Sequence, residues 1–126
     1  MRFLTVALSL WKWEGVIAVG GTESQFAAFA KEHGISIEGG RTSAGRAYVE
    51  LGKPWLLWIE TLDDVAALAH EALHIASGVL ECRGLKHVAE SEEAYTYTME
   101  AIIRVALMTP SEQWISVGPG AQEQEG

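Results

Sequence analysis

Apolar positions change their spacing several times along the chain, and each change marks an element. Residues 3–10 are apolar and partly alternating, and residues 16–19 are β-branched, so both stretches read as strands. Gly20 and Gly21 break the second. Thr22 then caps a short helix over residues 23–33, in which Phe26, Phe29 and Ala30 make an apolar stripe at spacings of three and four. Gly34 stops that helix, and glycines and polar residues make a loop or turn of residues 38–45. Residues 46–51 alternate, Gly52, Lys53 and Pro54 suit a turn, and residues 55–59 are strongly apolar and aromatic, which together predict a β-hairpin.

Helical periods follow. Thr61 with Asp64 three residues later fits a capping box, with two acids to suit the helix dipole, and the helix is predicted to run to about Glu81. A turn at Gly84 leads to a further helix over about residues 89–108, stopped by Pro110. Residues 118–126 are Gly, Gln and Glu with one Pro and are expected to be disordered. The order predicts one α+β domain over residues 1–117, with a small mixed or antiparallel sheet packed on two long helices.

Composition narrows the class. The chain has 126 residues, 48% of them hydrophobic, enough for one core. Its formal net charge of -8 repels phosphate backbones, and Arg41 with Arg46 are too few to make a basic patch, so no nucleic-acid partner is expected. Cys82 is the single cysteine, which rules out a disulfide within one chain and fits a reducing compartment. The apolar start has the length of a signal-peptide core, yet Lys12, Trp13 and Glu14 follow it with no small-residue cleavage site, so it reads as a strand. No apolar run approaches the ~18 residues of a membrane span. The expectation is a cytoplasmic protein with a peptide, protein or small-molecule partner and no membrane contact.

Against this background one motif carries chemistry: His70-Glu71-Ala72-Leu73-His74, an HExxH pattern inside a predicted helix. Histidines four apart differ by about 40° around a helix and ~6 Å along it, so both imidazoles can reach one ion. Glu71 stands about 100° round from His70, off the ligand position but beside a water the ion would hold. On a helical wheel Val65, Leu68, Ala69, Ala72, Ala76, Val79 and Leu80 form the core face. Asp63, Ala67, His70, His74, Ser77 and Glu81 form a separate face lined by small residues. Imidazole ligands and an acid beside them point to zinc, which in catalytic sites takes three protein ligands and keeps one position open.

Several residues compete for the third ligand. His87 follows in a predicted turn, whereas His33 ends another helix and suits a C-terminal cap. The stronger candidates are Glu90, Glu92 and Glu93 at the start of the next helix, although acids there also compensate the helix dipole. On that helix Glu93, Tyr97, Glu100 and Arg104 share a polar stripe, Tyr95, Met99, Ile102 and Ala106 the core side, and Glu92 leans toward the core side.

At these residues the sequence resembles the gluzincin type of HExxH metallopeptidase, and more closely the small phage- or prophage-encoded metallopeptidases with a downstream E-x-x-A-Y-like motif. Here that second motif is Glu93-Ala94-Tyr95-Thr96-Tyr97, with Thr96 where Ala is usual. The resemblance covers about residues 55–108 and implies a zincin-like core, His70 and His74 as zinc ligands, Glu93 as the third ligand, with Glu90 and Glu92 as register alternatives, and Glu71 as general base. It implies a peptide or protein substrate. Tyr97 and Tyr95 are the nearest donors for an oxyanion, with packing as their competing role. Glu100 and Asp63 are possible acceptors for the ligands' second N–H groups, and the strand over residues 55–59 could be the edge that pairs with substrate. The alternatives are a zinc-stabilised phage or host interaction protein without turnover, and a metal-free binding domain in which the motif is accidental.

Overall fold

A computed structural model describes residues 1–37 and 44–117. The order is β1 (Arg2–Leu8), β2 (Trp13–Val19), α1 (Glu23–Glu32), β3 (Gly45–Tyr48), β4 (Trp55–Ile59), α2 (Val65–Cys82), α3 (Glu92–Met108) and β5 (Ile115–Ser116), with 3-10 turns at Ala89–Ser91 and Ser111–Gln113. The chain is α+β, and the five strands among the described residues form one mixed sheet in the order β3-β4-β2-β1-β5. Among the described residues only the β2–β4 pair is parallel, because α1 and β3 intervene between those two strands and carry the chain across. The expectations for residues 38–43, Arg41 among them, and for the tail 118–126 lie outside the described residues.

Strict alternation along the strands builds two cores. Leu4, Val6 and Leu8 of β1, Ile17 and Val19 of β2, and Trp55, Leu57 and Ile59 of β4 face α2 and α3. Val16, Ala18, Leu56 and Trp58 face the other way, onto Phe26, Phe29 and Ala30 of α1. The sheet is therefore covered on both faces, and β4 is buried throughout, as a continuous apolar run implies. Its two tryptophans are core residues, each with an acceptor for its indole N–H: Trp58 donates to the Gly20 carbonyl at 2.8 Å, and Trp55 to that of Trp13 at 3.4 Å.

The start of the motif helix and the place of the edge strand differ from the sequence reading. The motif helix is capped by Asp64, whose side chain accepts from Ala67 N at 3.0 Å, while Thr61 accepts from Asp63 N in the preceding turn. The cap thus falls three residues later than the Thr61 box, and both acids precede the first turn. The strand over residues 55–59 is not an edge. β4 sits between β3 and β2, and β3 occupies the edge. Thr22 does cap α1, in a reciprocal box with Gln25.

β3 runs alongside α2 in the same direction, and glycines set the closeness of approach. A Cβ at Gly78 would come within 2.7 Å of Val49, and one at Gly45 within 2.8 Å of Glu71. Among the described residues no helix is long and apolar enough to cross a membrane.

Candidate metal centre

Helix α2 turns two histidines outward and the glutamate between them inward. His70 and His74 are both exposed, with their Nε2 atoms 3.2 Å apart and ring centroids 4.8 Å apart at 72°. Glu71 is 8% exposed. The donor atoms of His70, Glu71 and His74 all lie within 4.8 Å of one another, so the group could hold a metal ion. Leu68, Ala72, Ile75, Ala76, Val79 and Leu80 bury the opposite face of the helix, which fixes the direction of the histidine face. Val65 departs from the expected core stripe and is half exposed at the first turn.

Edge strand β3 determines where the glutamate goes. Its first residue has no side chain, and Glu71 fills that space: a Cβ on Gly45 would meet Cγ at 2.8 Å, Oε2 at 3.0 Å and the Trp58 carbonyl at 2.9 Å. Beside it, Arg46 points to the α1 side and pairs with Glu23 at 2.6 Å, tying the edge strand to α1. Burial pushes the Glu71 carboxyl above its ordinary value, and the charges of His70, His74 and Arg46 partly offset the rise. A carboxylate held out of bulk water beside two imidazoles is a more ready proton acceptor than an ordinary exposed one.

The structure leaves the other sequence candidates apart from this group. Glu93, Glu90 and Glu92 are exposed at the start of α3 and its preceding turn, and none joins the cluster. The helices explain the separation. Glu93 lies in the first turn of α3, beside the end of α2, whereas His74 precedes that end by eight residues, about 12 Å of helix. Tyr97 is 60% exposed on the outer face of α3. Tyr95 is a packing residue, 4% exposed, with its ring stacked on His87 at 4.1 Å and its hydroxyl donating to the Leu85 carbonyl at 3.5 Å. His87 is thereby placed in the α2–α3 connection. His33 stands at the end of α1, its Nδ1 2.9 Å from the Phe29 carbonyl, as a C-terminal cap. Glu100 pairs with Arg104 at 2.7 Å, and Asp63 is exposed before the helix starts; neither joins the group.

Sequence reasoning missed Gly45. The turn-like glycines before β3 hid it, and the signal that would have found it is spatial: a strand residue that must lack a side chain where a helix delivers a carboxylate. No protein-family model matches the chain, and no curated protein or solved structure matches it either.

Proposed function

We propose that the chain is a zinc-dependent hydrolase acting on peptides, with His70 and His74 as zinc ligands and Glu71 as general base. The observation that carries this reading is the convergence of two imidazoles and a buried carboxylate beside the edge strand of a sheet. Two imidazole nitrogens presented on one helix face suit zinc, and the exposed histidine face leaves access for substrate. When bound, zinc would acidify a coordinated water and polarise a substrate carbonyl.

The chain's own residues supply the rest. Glu71, desolvated against Gly45, takes the proton of the attacking water at its carboxylate oxygen and returns it to the leaving amine. β3 replaces residues 55–59 as the strand that pairs with an extended substrate, since it is the sheet edge beside the motif. The gluzincin-type resemblance names Glu93 as a third ligand, but it stands apart from the group, so the ligands proposed are His70 and His74.

Purified protein is tested for zinc and for turnover of a peptide mixture, wild type beside Glu71→Gln. The reading expects about one zinc in both and turnover only in the wild type. Zinc in both with turnover in neither instead supports a zinc-stabilised interaction protein.

A further inference from the structure

At the far end of α2 from the histidines lies a cleft of about 540 Å³ lined by the β1–β2 turn, the β3–β4 turn and the end of α2. Trp13 forms part of its wall, fixed by donation of its indole N–H to the Lys53 carbonyl at 2.8 Å. Three cations reach it in a chain that carries only nine Lys and Arg and a net charge of -8: Lys12, Lys53 and Arg83. Lys53 is shared between Glu50 at 2.9 Å and the Gly34 carbonyl. Arg83 is held in place, its guanidinium 4.9 Å over the Trp13 ring and its Nη2 donating to the Trp11 carbonyl at 2.9 Å. Neither Lys12 nor Arg83 has a carboxylate partner among the described residues, and Glu14 is the one acid in the lining.

Lys12 also has the one positive φ of a non-glycine residue described, 51°. That backbone costs about 1–2 kcal/mol for a side-chain-bearing residue, and a glycine there would avoid it. The turn retains a strained lysine at the mouth of the cleft.

The cleft is connected to the histidine site by β3. Gly45 lies against Glu71, Val49 against Gly78, and the chain then turns through Leu51, Gly52 and Lys53 into the cleft wall. From His70 to Arg83 the helix rises about 20 Å. An extended peptide covers that distance in about six residues. Antiparallel addition to β3 is the more stable pairing, and it places the amino-side residues of a bound peptide at the cleft.

We propose that this cleft binds an acidic side chain of an extended peptide laid along β3, about six residues to the amino side of the bond beside the histidine pair. The proposal rests on the peptide-hydrolase reading for the bond's position, and its selectivity for acidic peptide is a separate property of the cleft. Lys12 and Arg83 take the carboxylate.

The test is binding, measured by fluorescence anisotropy of a labelled peptide carrying Glu in its amino-terminal segment and of its Gln twin. Both are titrated with the full chain, zinc-loaded and chelated, at low and high salt. The Glu peptide is expected to bind about tenfold more tightly at low salt, with the preference shrinking as salt rises. In Lys12→Glu the preference falls to about one or reverses, and in Lys12→Gly, which relieves the backbone and keeps the fold, it weakens. Equal affinity for the twins, or a preference unchanged in Lys12→Glu, overturns the proposal. Loss of zinc binding and turnover would refute the hydrolase reading and leave this ratio measurable; a ratio of one with hydrolysis intact would refute the cleft alone.

Discussion

Gly45 and Glu71 share one space: a Cβ on the strand residue would stand 2.8 Å from Cγ of the helix residue. The contact links sequence to chemistry, because the glycine lets the carboxylate leave solvent while the histidines on either side of it in the sequence stay outside.

On the proposed function, replacing that glycine is expected to separate metal binding from turnover. Gly45→Ala is expected to displace the Glu71 carboxylate while His70 and His74, exposed beside it on α2, keep their geometry. Zinc content is unchanged and kcat falls on the order of 10²-fold, the scale of a misplaced catalytic group. Metal analysis beside steady-state kinetics checks it; a parallel loss of zinc would show that Gly45 acts on the whole helix.

Burial of Glu71 also predicts a dependence of stability on pH. Its carboxyl lies above the ordinary value of 4.5 in the folded chain because burial penalises the charge. A raised carboxyl favours the protonated form, so its stabilising contribution is full below the ordinary value and is lost as pH rises through the folded value. Glu71→Gln cannot ionise. In chelated protein it is expected to melt higher than wild type near neutral pH and to converge with it at acid pH, by calorimetric or fluorescence melts. A variant that melts lower at neutral pH contradicts the account.

The sheet has its own tight point. Gly15 of β2 lies under the Trp55 indole, and a Cβ there would fall 1.9 Å from the ring. No shift of a flexible tip relieves this, since Trp55 is fully buried. Gly15→Ala is expected to cost at least about 1–3 kcal/mol, read as a lower denaturant midpoint.

Much of this architecture was legible in residue order. Alternation in residues 3–10 and the apolar run at 55–59 marked strands, and the three-and-four spacing of Phe26, Phe29 and Ala30 marked α1 with its Thr22 cap. The histidine face of α2 followed from the wheel. What escaped was set by pairing. Periodicity cannot say which strand lies at the edge, so β4 was placed where β3 belongs. A two-strand contact as short as β5 on β1 leaves no pattern at all. The helix start was misplaced because Thr61 and Asp64 both suit a cap, and only the hydrogen bond to Ala67 N selects Asp64. Where Glu93 stands relative to the histidines depends on the register of one helix against another, which no single helix wheel contains.

The cap itself offers a check on that selection. Asp64→Ala is expected to cost about 1 kcal/mol through the lost bond to Ala67 N, and Thr61→Ala much less. Thermal melts of the two variants compare them, and equal losses would argue against the later helix start.

The most direct test of the central claim is zinc content of the purified chain by elemental mass spectrometry, with His74→Ala measured beside it. The account predicts about one zinc per chain in the wild type and its loss in the variant. A wild-type chain that holds no zinc after loading and removal of the excess would contradict it.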